Sequence, residues 1–169
     1  SYVDSKVAAL REALTKSGMA EDTIIIFAAD HGEMMGERGM WYKQHFFEWA
    51  AHVPLIMHCP GRWAPKRISK NCSLIDIMPT LLDLANDQPF TDYANLIDGH
   101  SLADALNGDA TNMPDTVISE FAADGSTGPS RMVKRGNLKY MDLEGEDFLL
   151  FDLNKDPLEL ENLHDDPDY

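Results

Sequence analysis

The sequence has few cysteines and few basic residues, and it contains no long hydrophobic run. Its 169 residues include two cysteines, Cys59 and Cys72, whose spacing indicates neither a disulfide framework nor a four-cysteine zinc site. Lys and Arg number 14 against 29 Asp and Glu, which gives a net charge of −15. Such a chain repels a phosphate backbone, so we exclude nucleic acid as a partner and interpret the acidity as a solvated surface.

Two further absences concern membranes and export. No apolar stretch approaches the roughly 18 residues that a membrane-spanning helix requires, and the first residues lack the basic and then apolar order of a signal peptide. We therefore expect no membrane partner, and free thiols favour the cytoplasm. The chain begins with Ser1 rather than Met, so a removed N-terminus leaves a periplasmic location open.

The first third of the chain predicts a helix and two strands. Apolar residues recur at helical spacing before Gly18, which predicts an amphipathic helix; they are Val3, Val7, Leu10 and Leu14. The β-branched run from Thr23 to Ala29 predicts a central strand covered on both faces. A second strand is predicted from Val53 to His58. A helix that leads into a strand is half of a strand, helix, strand crossover, so we expect an α/β layer.

The rest of the chain predicts more helix and then a small sheet. Residues 73–85 form a helical pattern with Pro79 near its first turn and an apolar stripe at Leu74, Ile77, Met78, Leu81, Leu82 and Ala85. A brief helix is predicted over residues 101–106. Short runs predict antiparallel strands at residues 117–121, 131–134, 138–141 and 148–151. We divide the chain into an α/β part, residues 1–115, and an antiparallel subdomain with a tail, residues 116–169.

Asp30 and His31 stand where the first strand should end, and Gly32 allows the backbone to turn. Open α/β sheets bind ligands at the carboxyl ends of their strands, and a carboxylate with an imidazole can hold a metal ion. Even zinc requires at least three protein ligands, so two residues do not make a site. On these residues alone, the simpler interpretation is that Asp30 caps a turn and that His31 is an ordinary polar residue.

Lys43 lies within an aromatic run that comprises Trp41, Tyr42, Phe46, Phe47 and Trp49. It is either a snorkelling side chain on an apolar surface or a fixed cation in a pocket for an anion. The aromatic residues are either core or a cage for a quaternary ammonium group. Spacing does not decide between these alternatives.

Nucleophile motifs are absent. Cys59-Pro60-Gly61-Arg62 nearly matches Cys-x-Pro-x-Arg, in which cysteine is oxidised to formylglycine, but the proline stands one place early. We reject Cys59 as that nucleophile, and Cys72 has no matching residues after it. The sequence also contains no Gly-x-Ser-x-Gly elbow, phosphate loop or glycine-rich dinucleotide turn.

Taken in order, several separated motifs resemble the sulfatase family, and within it the choline sulfatase and phosphonate monoester hydrolase branch. The early motifs are Asp30-His31-Gly32-Glu33, Gly36-Glu37-Arg38-Gly39, Trp41-Tyr42-Lys43, Phe46-Phe47-Glu48, Val53-Pro54-Leu55-Ile56 and Pro60-Gly61. The later motifs are Asp76-Ile77-Met78-Pro79-Thr80-Leu81-Leu82-Asp83-Leu84 and Leu150-Phe151-Asp152-Leu153, followed by Asp156-Pro157, Glu159 and Asn162-Leu163. The resemblance covers nearly the whole chain.

The resemblance implies part of an alkaline-phosphatase-like α/β sandwich that hydrolyses sulfate esters. Asp30 and His31 match the family's late pair of metal ligands, for calcium, magnesium or manganese. Lys43 matches the lysine that contacts the sulfate and stabilises the leaving oxygen, so it is the catalytic and substrate-binding candidate. Many arylsulfatases carry Asn in place of His31, which favours the named branch. We expect these three side chains to converge.

The same resemblance implies that the nucleophile lies outside this chain. The formylglycine cysteine, its arginine and the early aspartate ligands belong to the family's N-terminal half, so the chain resembles the C-terminal portion of a sulfatase and should be silent alone. Glu120, in a segment that resembles choline sulfatases, could offset a cationic head group such as choline. A solvated strand-end glutamate is an equal interpretation.

Two other functions stay open. One is a portion of a phosphonate or phosphate monoester hydrolase, and the other is a non-catalytic sulfatase-like binding module. A strand that lacks the partners of a complete fold also predicts association with further copies of the chain.

Overall fold

The computed structural model describes residues 1–85, 96–122, 128–145 and 147–169. Its α-helices are α1 (Tyr2–Lys16), α2 (Glu48–Ala51), α3 (Ile77–Ala85) and α4 (Ala103–Asn107). Its strands are β1 (Ile25–Ala28), β2 (Met34–Met35), β3 (Trp41–Tyr42), β4 (Leu55–His58), β5 (Thr116–Phe121), β6 (Ser130–Arg135), β7 (Leu138–Leu143) and β8 (Asp147–Asp152). Within these ranges no helix combines the length and apolarity that crossing a membrane would need.

The chain forms two compact units, residues 1–29 with 54–67 and residues 30–53 with 68–169. In the smaller unit, Ser1 caps α1 by accepting a hydrogen bond from the Asp4 N–H, and the helix ends shortly before Gly18, whose φ is 75°. β1 pairs with β4 in antiparallel register, with Ala28 opposite Leu55. The predicted helix and both strands are confirmed. The division after residue 115 concerns parts of a larger fold and stays a prediction.

The coverage of the first strand on both faces concerns the complete fold and stays a prediction. Ile25 to Phe27 are half-buried and Ala28 is exposed. β1 has one strand neighbour within the described chain, and a two-stranded sheet leaves its side chains accessible. α1 likewise buries none of its residues, and Val3 and Leu10 of its apolar stripe are exposed.

The larger unit is organised around a four-stranded antiparallel sheet with strand order β5-β6-β7-β8. Each strand pairs with the next along the chain, and β6 alternates buried Ser130 and Met132 with exposed Arg131 and Val133. This confirms the predicted antiparallel sheet. Its core joins sheet residues to residues of the loop that follows Asp30, namely Met34, Phe46, Phe47, Ala50, Met132, Met141 and Phe151.

Helix α3 follows a 3₁₀ turn, Leu74–Asp76. The sequence predicted that Pro79 lies near a first turn or bends the helix, and it lies in the first turn of α3. Two residues of its apolar stripe, Met78 and Leu81, are exposed, whereas Pro79 and Thr80 are buried. Hydrogen bonding explains this orientation, because the Thr80 hydroxyl accepts the Leu102 N–H at 2.8 Å.

A buried charge cluster connects this sheet to the loop that follows Asp30. Lys139 on β7 is 0% exposed, and its Nζ lies 2.9 Å from Glu48 Oε1 and 2.9 Å from Glu159 Oε1. Lys134 Nζ on β6 lies 3.2 Å from Glu48 Oε2. Burial alone would raise the pKa of Glu48, but the ammonium groups of Lys139 and Lys134 outweigh burial and hold that pKa below its ordinary value.

Acidification should therefore destabilise the protein through Glu48. Because the folded-state pKa is lowered, the carboxylate stabilises the fold fully above its ordinary pKa of 4.5, and this contribution is lost as the pH falls through the lower folded value. We expect the free energy of unfolding of Glu48→Gln to fall less steeply than wild type below that pH. Denaturant titrations along a pH series measure this slope. Glu12→Gln, on exposed α1, is the matched control. If the free energy of unfolding of Glu48→Gln fell with pH as steeply as that of wild type, Glu48 would not be the group responsible.

Candidate active site

The backbone that follows His31 is held against α2. The Gly32 N–H donates to the Ala50 carbonyl at 2.7 Å, and the Glu33 N–H donates to the Trp49 carbonyl at 3.0 Å. A Cβ on residue 32 would overlap the Trp49 carbonyl oxygen. The approach of the two segments therefore requires glycine at position 32.

A short hairpin brings Lys43 back to His31. β2 and β3 pair through Met34 opposite Tyr42 and Met35 opposite Trp41, with Met34 fully buried. Tyr42 has a φ of 72°, a left-handed conformation that is uncommon for a residue other than glycine. This conformation immediately precedes Lys43, so the direction of the chain at Lys43 depends on it.

The structure brings Asp30, His31 and Lys43 together. Lys43 Nζ lies 2.5 Å from His31 Nε2, and Asp30 Oδ2 lies 3.4 Å from the same nitrogen. Asp30 Oδ1 also accepts the His31 N–H at 3.0 Å. The structure does not place Glu120 with them, because Glu120 lies exposed on β5 and pairs with Arg131 at 2.9 Å. The roles of all four residues stay predictions.

Hydrogen bonds determine which ring nitrogen of His31 is available. His31 Nδ1 lies 2.7 Å from the Gly32 carbonyl oxygen, so it carries the proton and donates. Nε2 then presents a lone pair, which accepts from the Lys43 ammonium group. The hydrogen bond from the His31 N–H, followed by the backbone of Asp30 itself and the His31 ring, lowers the pKa of Asp30. An ionised carboxylate and an imidazole lone pair are thus adjacent.

This pair fits part of a metal site. A carboxylate oxygen and an imidazole nitrogen are both donors that a divalent ion can bind. Asp30 Oδ2 and His31 Nε2 lie 3.4 Å apart, so both could contact one ion. Within the ranges that the structure describes, no group of three or more His, Cys, Asp or Glu side chains could hold a metal. A complete site would need ligands in addition to Asp30 and His31.

Sequence reasoning missed His45, Glu48 and Lys139. His45 has both ring nitrogens buried without a hydrogen-bond partner among the described residues, and burial, followed by the charge of Lys139, lowers its pKa. Its position two residues after Lys43 was the available signal. Cys59 is buried and its thiol donates to the Glu21 carbonyl at 3.3 Å, which agrees with its rejection as a nucleophile.

Comparison with known proteins identifies the family. The family model described as Sulfatase matches residues 1–87, about half of the chain. The choline-sulfatase of Rhizobium meliloti (strain 1021) is 42% identical over 167 residues, which cover 99% of this chain and 32% of that protein. The chain belongs to the sulfatase family. Arylsulfatase K of Mus musculus is 34% identical over 161 residues, which cover 89% of this sulfatase chain and 28% of the relative.

Solved structures confirm the fold of this sulfatase chain. Phosphonate monoester hydrolase of Agrobacterium radiobacter superposes with a TM-score of 0.83 at 33% identity, covering 99% of this chain and 36% of its own. A 2-O GAG sulfatase superposes with a TM-score of 0.84 at 33% identity, covering 99% and 37%. The chain thus spans about a third of the length of its relatives. The prediction of part of an alkaline-phosphatase-like α/β sandwich is confirmed.

Replacing Gly32 with Ala should displace the backbone beside His31. The added Cβ overlaps the Trp49 carbonyl oxygen, a rigid backbone atom, so we expect a loss of about 1–3 kcal/mol in the free energy of unfolding. Denaturant titration measures this loss. Gly128→Ala is the matched control, because a Cβ there would have its nearest neighbour, the Glu144 oxygen, at 3.6 Å. Equal stability of the two variants would show that Gly32 is not required for the close approach.

Proposed function

We propose that the full-length protein hydrolyses sulfate esters and that this chain contributes Asp30, His31 and Lys43 to its active site. The observation that carries the proposal is the approach of Lys43 Nζ to within 2.5 Å of His31 Nε2, in a chain of the sulfatase family. A lysine, an imidazole lone pair and a carboxylate at one place suit an anion with its metal ion.

Lys43 is the residue whose charge acts on the reaction. When the bond from sulfur to the ester oxygen breaks, negative charge grows on that oxygen, and a fixed ammonium group stabilises it more in the transition state than in the bound substrate. Asp30 and His31 Nε2 are the proposed ligands for calcium, magnesium or manganese, an ion that withdraws electron density from sulfate oxygens when bound. The formylglycine nucleophile is expected in the part of the protein outside this chain.

Choline sulfate is the proposed substrate within this class. The support is the 42% identity to a choline-sulfatase. Glu120 is the proposed contact for a cationic head group, and such a contact requires its carboxylate to leave Arg131. The second candidate is a phosphonate monoester, which the structural likeness to the hydrolase of Agrobacterium radiobacter supports. Association of copies also remains a proposal, supported by exposed apolar residues of the smaller unit such as Val3, Leu10 and Ile56.

Replacing Lys43 with Met should lower kcat of the full-length protein on an aryl sulfate by roughly 100- to 1000-fold. The metal content should not fall, since Lys43 is not a proposed ligand. Steady-state kinetics and elemental analysis measure the two quantities. Lys16→Met, on exposed α1, is the matched control and should keep full activity. An active Lys43→Met variant would reject the role of Lys43, and a wild-type protein without hydrolase activity would favour a non-catalytic binding module.

Replacing Glu120 with Gln should raise KM for choline sulfate and leave KM for an aryl sulfate unchanged, because only choline carries a positive charge. The expected increase is about two- to fivefold, comparable to the loss of one exposed charge contact. The same assay with an aryl phosphonate separates the two candidate substrates. An equal effect on both sulfates would remove Glu120 from the substrate site, and faster turnover of the phosphonate would favour the second candidate.

A further inference from the structure

The loop that carries His31 and Lys43 depends on α2, a helix of only four residues. The carbonyls of Trp49 and Ala50 accept the hydrogen bonds that hold Glu33 and Gly32. A single helical turn has little stability of its own, since nucleation of a helix is unfavourable. Interactions outside α2 must therefore hold it in place.

Glu48, the first residue of α2, makes those interactions. Its N–H donates to Glu159 Oε2 at 2.8 Å, and its carboxylate binds Lys139 at 2.9 Å and Lys134 at 3.2 Å. Both lysines stand on strands of the antiparallel sheet. The start of α2 is thus bound through its backbone and through its side chain.

Glu159 also reaches the hairpin that leads to Lys43. Its backbone, in a left-handed conformation with a φ of 56°, presents a carbonyl that accepts from the Arg38 guanidinium group. The guanidinium carbon lies 4.4 Å from the centre of the Phe47 ring, which belongs to the core. Glu159 is 1% exposed, so these contacts are sheltered from water.

Lys139 is the centre of this arrangement. Its ammonium group has no access to water and lies between the Glu48 and Glu159 carboxylates. Buried ion pairs add little net stability, because the loss of hydration offsets their attraction, but removal of one member leaves uncompensated buried charge. The cluster is therefore better suited to defining a geometry than to stabilising the fold.

We propose that Lys139, Glu159 and Glu48 are positioning residues that hold the backbone carrying His31 and Lys43 in place at the active site. The contacts run from the cluster to α2, from α2 to Gly32, and from the Gly32 carbonyl to His31 Nδ1 at 2.7 Å. The link from His31 to Lys43 is 2.5 Å long. The Lys43 carbonyl accepts from the His45 N–H at 2.9 Å, and α2 begins at Glu48, three residues after His45. The inference rests on the proposed function, because it assigns the cluster to that site.

The test compares Lys139→Met, Lys139→Arg and Glu159→Gln with wild type in the full-length protein. Lys139→Met removes the charge at similar length, and Lys139→Arg keeps the charge. Glu159→Gln keeps an acceptor for the Glu48 N–H. Lys155→Met is the matched control, because Lys155 is an exposed lysine whose nearest carboxylate oxygen, on Asp152, is 3.8 Å away. All kinetics are measured well below the unfolding temperature of each variant.

We expect Lys139→Met to lower kcat about 10- to 100-fold with KM changed less than about threefold. The reason is that displacement of Lys43 weakens an interaction that acts mainly on the transition state. Lys139→Arg and Glu159→Gln should each retain a larger fraction of the wild-type kcat than Lys139→Met does. A second readout does not depend on activity. Amide hydrogen exchange at Gly32 and Glu33 should accelerate at least about tenfold in Lys139→Met, with exchange in α1 unchanged. Lys155→Met should change neither quantity.

Unchanged exchange at Gly32 and Glu33, or unchanged kcat in an active protein, overturns the positioning role. Equal acceleration at all slowly exchanging amides also overturns it, since that result shows a merely structural cluster. If Lys139→Met does not fold, kcat and amide hydrogen exchange at Gly32 and Glu33 in Glu159→Gln test the positioning role instead. A wild-type protein without sulfatase activity rejects the proposed function, whereas the exchange experiment still decides whether the cluster holds the loop.

Discussion

One ammonium group without access to water connects three distant parts of the larger unit. Lys139 belongs to β7, which has hydrogen-bonded neighbours on both sides, so its backbone is held by two ladders. From this rigid position its side chain meets Glu48 of α2 and Glu159 of the C-terminal segment. The loop with His31 and Lys43 contains little regular secondary structure. The ion pairs of Lys139 and the shared apolar core hold it in its conformation.

The sequence predicted secondary structure well where its pattern of apolar residues is compatible with only one kind of element. The short strand-like runs between residues 117 and 151 predict an antiparallel sheet, and the structure has one. The pattern in α1 and α3 shows which face is apolar, but it does not show what covers that face. Leu10 and Met78 belong to these apolar faces, and both are exposed within the described residues. Burial depends on partners that a local pattern does not contain.

The same distinction applies to the candidate site. Asp30 and His31 are adjacent in sequence and Lys43 follows after a hairpin, but the residues alone left their roles open. The resemblance to the sulfatase family supplied the expectation that they converge. The charge cluster could not be predicted, because Glu48 and Lys139 are far apart in the chain and a lysine on a strand is ordinarily solvated. Gly32 was noted as a flexible residue, whereas its role is to allow contact with the Trp49 carbonyl.

The contact between Lys43 and His31 has a consequence for how a metal ion would bind. The Nε2 lone pair that a cation would use is already occupied by the ammonium group of the same chain. A cation that bound Nε2 would have to displace this ammonium group, so its net affinity would be the difference between the two interactions. The displaced ammonium group would then be free to turn toward an anion. Binding of a metal ion at His31 and release of the Lys43 ammonium group toward an anion would then be the same event.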